Sequence, residues 1–155
     1  MYLKINLMNS DRCVFCEIIK GNIKTRKIYE TEYSIAILDA FPLKEGHSLV
    51  ISKTHSPKIQ DLSIRENSDI FSTLYYLTEK IEKAMDCNSS LISIHNGNNS
   101  GQEIPHFHIH IIPASDSNRN RSIHSLFDKK DISADKMEEY WKKISREVDS
   151  VGRSN

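Results

Sequence analysis

Three histidines fall at every second position in His106-Phe107-His108-Ile109-His110-Ile111-Ile112. Alternate side chains of an extended strand point to opposite faces, so the imidazoles share one face and Phe107, Ile109 and Ile111 share the other. The apolar row can enter a core while the imidazole row lines a surface or cleft beside the Asn/Gly/Ser-rich stretch 96–101. Neighbouring imidazoles repel one another when protonated and lose hydration when buried, so such a row needs a chemical reason. A neutral imidazole carries one lone pair and one N–H, which suits it to nucleophilic attack, proton transfer or metal binding. The spacing alone leaves open a satisfied polar face, a metal site made of all three rings, and a catalytic row. No acidic residue follows at a spacing that would complete a cupin-like metal site.

Cys13-x-x-Cys16 is the second group with chemistry, and it is ambiguous. The spacing suits a redox pair, half of a zinc site, or two buried thiols, and the βαβ context of a thioredoxin-like motif is missing.

The elements that must position these residues are legible in outline. Residues 28–31 and 34–39 read as a hairpin, and residues 47–52 as a strand after a turn marked by Pro42 and Gly46. Ser63 with Glu66 has the form of a capping box opening a long helix. Ile70, Phe71, Leu74, Leu77, Ile81 and Ala84 then recur at helical spacing. Residues 91–95 and 106–112 read as two further strands, the last stopped by Pro113. A C-terminal helix from about Ser133 places Met137, Tyr140, Trp141, Ile144 and Val148 on one face. Strands grouped around one long helix predict an α+β fold with a mainly antiparallel sheet of about five strands.

The 155 residues suit one domain over 1–155, with 1–12 a frayed leader (starting at Met1 or Met8) and 114–155 an extension bearing the last helix. Lys plus Arg and Asp plus Glu both total 21, so the chain has no net charge to attract nucleic acid or an anionic membrane. No apolar run approaches a membrane span, and nothing reads as a signal peptide. Three sparse cysteines fit a reducing, cytoplasmic setting. Cys87 reads as a buried thiol or a frayed turn residue, and Arg119, Arg121 and His124 as a solvated loop.

The run His106–Ile112 resembles the His-φ-His-φ-His-φ-φ motif of the histidine triad (HIT) superfamily. The resemblance extends to Gly101-Gln102, Asn96-Gly97, Asp39 after an apolar strand, Gly46-His47, and Leu49-Val-Ile-Ser-Lys-Thr-His55, over roughly residues 13–113. Cys13-Val-Phe-Cys16-Glu-Ile-Ile is similar to the zinc-containing, Hint-like branch of nucleoside phosphoramidate hydrolases. The resemblance implies a HIT-like fold and a homodimer built on the long helix and an adjacent strand. It also implies hydrolysis at the α-phosphorus of a purine nucleoside phosphoramidate through a nucleotidyl-histidine intermediate. A dinucleoside polyphosphate hydrolase and a non-enzymatic zinc-binding adaptor are the alternatives.

Carried over residue by residue, His108 is the nucleophile, its proton held by a backbone carbonyl near His106, and His110 is a donor to the phosphoryl oxygens. His47 backs the triad, and Asp39 accepts the ribose hydroxyls. Phe15, Ile18, Ile23 and Ile37 form an apolar slot for a base, or else plain core. Gly101, Gln102, Glu103 and His95 border the substrate. Cys13, Cys16, His55 and His106 match zinc positions of some relatives, which assigns the His106 ring to a structural metal and its backbone to His108. Two residues depart from the pattern. Glu103 stands where several relatives carry Ser or Thr; an ionised carboxylate cannot donate, so it faces solvent or favours a cationic leaving group. His95 stands where relatives carry Asn or Gln, and a histidine can also donate there.

Overall fold

The computed structural model describes residues 13–114 and 131–151. The proposed leader, Arg119, Arg121 and His124 lie outside the described residues. The chain divides into two units, 1–118 and 119–155.

In the first unit a short helix α1 (Val14–Ile19) precedes strands β1 (Lys27–Glu30), β2 (Ser34–Leu38) and β3 (Ser48–Ser52). The long helix α2 (Ile64–Ala84) follows, then β4 (Ser90–Ser93) and β5 (His108–Pro113). All neighbouring strands pair antiparallel, in the order β1-β2-β3-β5-β4. The expected α+β architecture, with five antiparallel strands and one long helix, is the one observed.

The period-two alternation gives the sheet two unlike faces. Ala36, Val50, Phe107, Ile109 and Ile111 join Leu62, Ile70, Leu74, Leu77 and Ile81 in the main core. On the opposite face Ile35, Ile37, Leu49 and Ile51 pack with Phe15 of α1. Leu49 pairs with His110 and Ile51 with His108, and directly opposed residues project to the same side. One sheet therefore buries its aliphatic row beneath α2 and carries two histidines across the other face, beside a small cluster roofed by α1.

The capping box forms as read. Ser63 Oγ accepts from Glu66 N–H at 3.3 Å, and the Glu66 carboxylate accepts from Ser63 N–H at 2.7 Å. The buried stripe differs in two places. Phe71, about 100° on from Ile70, is 39% exposed, and Ala84 lies exposed in the last turn, beyond Ile81. Thr73 is buried in their stead, its hydroxyl 3.0 Å from Ser34 Oγ.

Two strands are shorter than the apolar pattern suggests. β5 begins at His108 and not at 106, because Pro105 has no N–H, His106 N–H turns back to Ile104 O at 2.7 Å, and Phe107 N–H goes to Ser56 O at 2.6 Å. β4 ends at Ser93, so Ile94 and His95 have left the ladder before the turn at Asn98–Ser100. The helix α1 was not anticipated, since six residues give too little periodicity to read.

The second unit contains helix α3 (Ala134–Val151), where Ser133 Oγ accepts from Lys136 N–H at 3.4 Å. Met137, Tyr140, Trp141, Ile144 and Val148 are all exposed along it.

Candidate active site and metal centre

The hydrogen-bond partners fix which nitrogen carries the proton on each ring of the imidazole row. A carbonyl oxygen only accepts, so His108 Nδ1–H donates to His106 O at 2.6 Å. Its Nε2 then carries the lone pair. Leu43 N–H donates to His47 Nδ1 at 3.1 Å, which leaves the His47 proton on Nε2. That proton goes to His110 Nδ1 at 2.9 Å, so His110 keeps its own proton on Nε2. The result is a lone pair on His108 and an N–H on His110, on rings whose centroids stand 4.9 Å apart. Phe15 packs edge-on to His108 at 5.0 Å and to His106 at 5.6 Å.

Burial keeps these rings neutral. It pushes His108 below its usual value, although the bond to His106 O works the other way. His110 is pushed down to about 4 by burial and then by the neighbouring His108, His47 and His95. Burial lowers His47 as well, against the pull of Asp39.

The first histidine of the row serves a second cluster. His106 Nε2–H donates to Ser52 O at 2.7 Å, which turns the Nδ1 lone pair toward Cys13, Cys16 and His55. From His106 Nδ1, His55 Nδ1 is 3.2 Å away, Cys13 Sγ 3.4 Å and Cys16 Sγ 3.6 Å, while Cys16 Sγ is 3.3 Å from His55 Nδ1. A tetrahedral zinc with Zn–N near 2.0–2.1 Å and Zn–S near 2.3 Å requires edges of about 3.3 Å between nitrogens and about 3.6 Å between nitrogen and sulfur. The four donor atoms all lie within 4.8 Å of one another, so these residues fit such an ion. The His106–Ser52 bond is the outer contact that commonly fixes a ligating ring. Burial and the Cys13 neighbour push the Cys16 thiol up, a bias that a bound divalent cation reverses.

These two centres are joined through His106, just before β5. The HIT domain family matches residues 20–117. The chain belongs to that family. Its fold is similar to the crystal structure of the histidine triad nucleotide-binding protein of Candida albicans (TM-score 0.76, 30% identity, 90% of this chain and 99% of that one). It is 36% identical over 104 residues to the adenosine 5'-monophosphoramidase of Saccharomyces cerevisiae, covering 67% of this chain and 63% of that protein. It is 33% identical over 112 residues to the asymmetrical bis(5'-nucleosyl)-tetraphosphatase of Schizosaccharomyces pombe, covering 71% of this chain and 62% of that protein. The matched region thus spans less than two thirds of each of these two relatives.

The remaining candidate residues of this HIT-domain protein surround the triad unevenly. Asp39 Oδ1 accepts from Phe41 N–H at 2.8 Å, and Oδ2 stands 3.5 Å from His47 Nδ1. Phe15 and Ile37 are buried in the small apolar cluster, with Ile18 packed against it. Ile23, by contrast, is 41% exposed and stands outside that cluster. Gln102 is buried and ties its loop down, donating from Nε2 to Pro57 O at 2.6 Å, while its Oε1 has no partner among the described residues. Glu103 is exposed, and its charge reaches His108. His95 Nδ1–H donates to Ser100 O at 2.5 Å, so a neutral His95 presents a lone pair at Nε2 and not the donor read from the sequence. Gly101, at φ +86°, lies so close that a Cβ there would meet His95 Nδ1 at 3.3 Å.

Sequence reasoning missed the backbone groups that set the tautomers: Leu43 N–H, Ser52 O and Ser100 O. A main-chain atom leaves no signature in residue type, so no sequence signal identifies them.

Proposed function

We propose that this HIT-family hydrolase acts on nucleotides and, more narrowly, cleaves nucleoside phosphoramidates at the α-phosphorus through a nucleotidyl-His108 intermediate. The observation that carries the reading is the His108–His106 bond, which leaves the His108 Nε2 lone pair as nucleophile. Nε2 attacks phosphorus, the P–N bond breaks, and the amine departs with a proton taken from solvent, which the second step returns. Water then cleaves the P–Nε2 bond and regenerates the ring, so two easier steps replace one hard step. The His110 Nε2–H is in place to donate to a phosphoryl oxygen without reorganising as charge develops there. Asp39 would accept from the ribose, and the Phe15/Ile18/Ile37 cluster would border a purine.

Cys13, Cys16, His55 and His106 would hold zinc, a structural ion that ties α1 to the triad. We further propose a homodimer. β4 is an edge strand with Leu91 and Ile92 exposed, which an unpaired edge does not favour. Three sparse cysteines, none in a disulfide among the described residues, support a cytoplasmic setting. No described helix is long and apolar enough to cross a membrane.

The two carboxylates whose charges act on His108, Asp39 and Glu103, favour an amine over a polyphosphate leaving group. The test is rapid quench with a labelled adenosine phosphoramidate. Label should be trapped on His108 and be absent in His108→Ala, with turnover falling on the order of 10⁴-fold or more. A wild-type protein that neither traps label nor turns over would overturn the reading, as would efficient hydrolysis of dinucleoside tetraphosphate alone.

A further inference from the structure

We propose that His95 binds the substrate phosphate as its imidazolium, so that nucleotide binding takes up a proton at His95 Nε2. This rests on the nucleotide reading above and deepens it.

One hydrogen bond sets the polarity of the His95 ring. Ser100 O can only accept, so its 2.5 Å contact occupies the Nδ1–H of His95 in either charge state. A neutral ring therefore turns an unshared pair outward at Nε2, and an anionic oxygen placed there would be repelled. Protonation reverses this. The imidazolium keeps its Ser100 bond and gains an Nε2–H, which makes a charge-assisted bond to a phosphoryl oxygen.

The ring cannot flip cheaply to offer its other edge. A flipped ring would present a carbon to Ser100 O and lose that bond, since the turn Asn98–Ser100 holds the accepting carbonyl. His95 stands edge-on to His110 at 5.9 Å, and its charge acts on both His108 and His110. It is thus beside the two rings that flank the attacked phosphorus.

Charge balance points the same way. The titratable groups around His95 are His108 and His110 on β5, with His47 behind them and the carboxylates of Asp39 and Glu103 acting on His108. The carboxylates oppose a phosphate. A proton on His95 supplies a positive charge beside the phosphate, and the phosphate in turn holds that proton. Affinity should consequently fall as pH rises, because loss of the ring proton removes the Nε2–H that the bound phosphate needs.

The probe is adenosine 5'-(methyl phosphate), a phosphodiester with no titration of its own near neutrality. Calorimetry at pH 7.5 in buffers of different ionisation enthalpy should show uptake of a substantial fraction of one proton by the wild type. In His95→Asn, whose amide donates at any pH, the uptake should vanish, and affinity should stay level from pH 6.5 to 8.5 while the wild type loses about tenfold. In the intact wild type, the ¹⁵N resonance of His95 Nε2 should move from the unprotonated to the protonated range as probe is added. Equal proton uptake in both proteins, no uptake in the wild type, or an unmoved Nε2 resonance would overturn the proposal. Failure of the probe to bind either protein would overturn the nucleotide reading itself, a result distinct from binding without proton uptake.

Discussion

His106 holds His108 by its backbone while its own side chain points elsewhere: the His106 carbonyl takes the His108 Nδ1 proton at 2.6 Å, and the His106 ring faces Cys13, Cys16 and His55. A structural metal there would fix the carbonyl that fixes the nucleophile. Removing zinc with a chelator, or replacing Cys13 by Ser, should therefore lower both stability and kcat. Loss of an outer contact to a metal typically costs 10- to 100-fold, and a comparable kcat loss is expected here with a smaller change in KM. Metal analysis should find about one zinc per wild-type chain and less in the variant. Zinc-free wild-type protein with full activity and an unchanged Tm would refute the coupling.

The relay Leu43 N–H to His47 to His110 makes a separate prediction. Phe at position 47 keeps much of the ring volume but cannot donate to His110 Nδ1. His110 is then free to move its proton to Nδ1 and lose the Nε2–H proposed to meet the phosphate. His47→Phe should lower kcat by on the order of 10- to 100-fold, the range for one weakened oxyanion donor. A kcat within twofold of wild type would show that His110 keeps its tautomer without help.

How much of this was legible in the sequence follows from where the information resides. His108 and His110 declared a shared face because side-chain alternation depends only on spacing, whereas His106 lies before the strand and turns its ring to the cysteines. Ser63 and Glu66 declared a helix start because both halves of the cap are side chains. Cys13, Cys16, His55 and His106 meet across up to 93 positions of sequence, a juxtaposition that periodicity could not reveal and only the family resemblance supplied. The polarity of His108 came from the family resemblance alone, and that of His47, His95, His106 and His110 was hidden, since Leu43, Ser52 and Ser100 contribute main-chain atoms. His95 shows the consequence: residue type suggested a donor, and one carbonyl makes it an acceptor when neutral. Ile23, read into the same slot as Phe15, Ile18 and Ile37, stands 41% exposed outside their cluster, a difference in depth that residue type does not encode.

Buried neutral histidines also make the fold sensitive to acid. His110 falls from an ordinary 6.5 to about 4 through burial first and neighbouring imidazoles second, and burial lowers His47 too. Between those two pH values the unfolded chain binds more protons than the folded one, so stability rises with pH. The contribution is fully present above about pH 6.5 and is lost as pH falls through about 4. For His110, a partly exposed ring screened by solvent, it is well under the roughly 3 kcal/mol that the full shift would give. The Tm should accordingly drop steeply from pH 6.5 to 4 and change little from 7 to 8. In His110→Gln the slope of that drop should be shallower, and an unaltered slope would assign the acid sensitivity to other groups.

Gly101 offers a test of how tightly the rim of the site is built. Its φ of +86° is one that side chains rarely adopt, and a Cβ would stand 3.3 Å from His95 Nδ1. The backbone strain of a non-glycine residue there is on the order of 1–2 kcal/mol. Relief of the contact would move His95 away from Ser100 O and blur the direction of Nε2. Gly101→Ala should thus lower Tm by a few degrees and raise KM several-fold, with a smaller effect on kcat because His108 and His110 are held from other sides. In a double-mutant cycle with His95→Ala, the KM penalty of Gly101→Ala should largely disappear while the Tm penalty remains. If both penalties persist undiminished without the His95 ring, Gly101 serves the turn alone and has no hold on the phosphate side of the site.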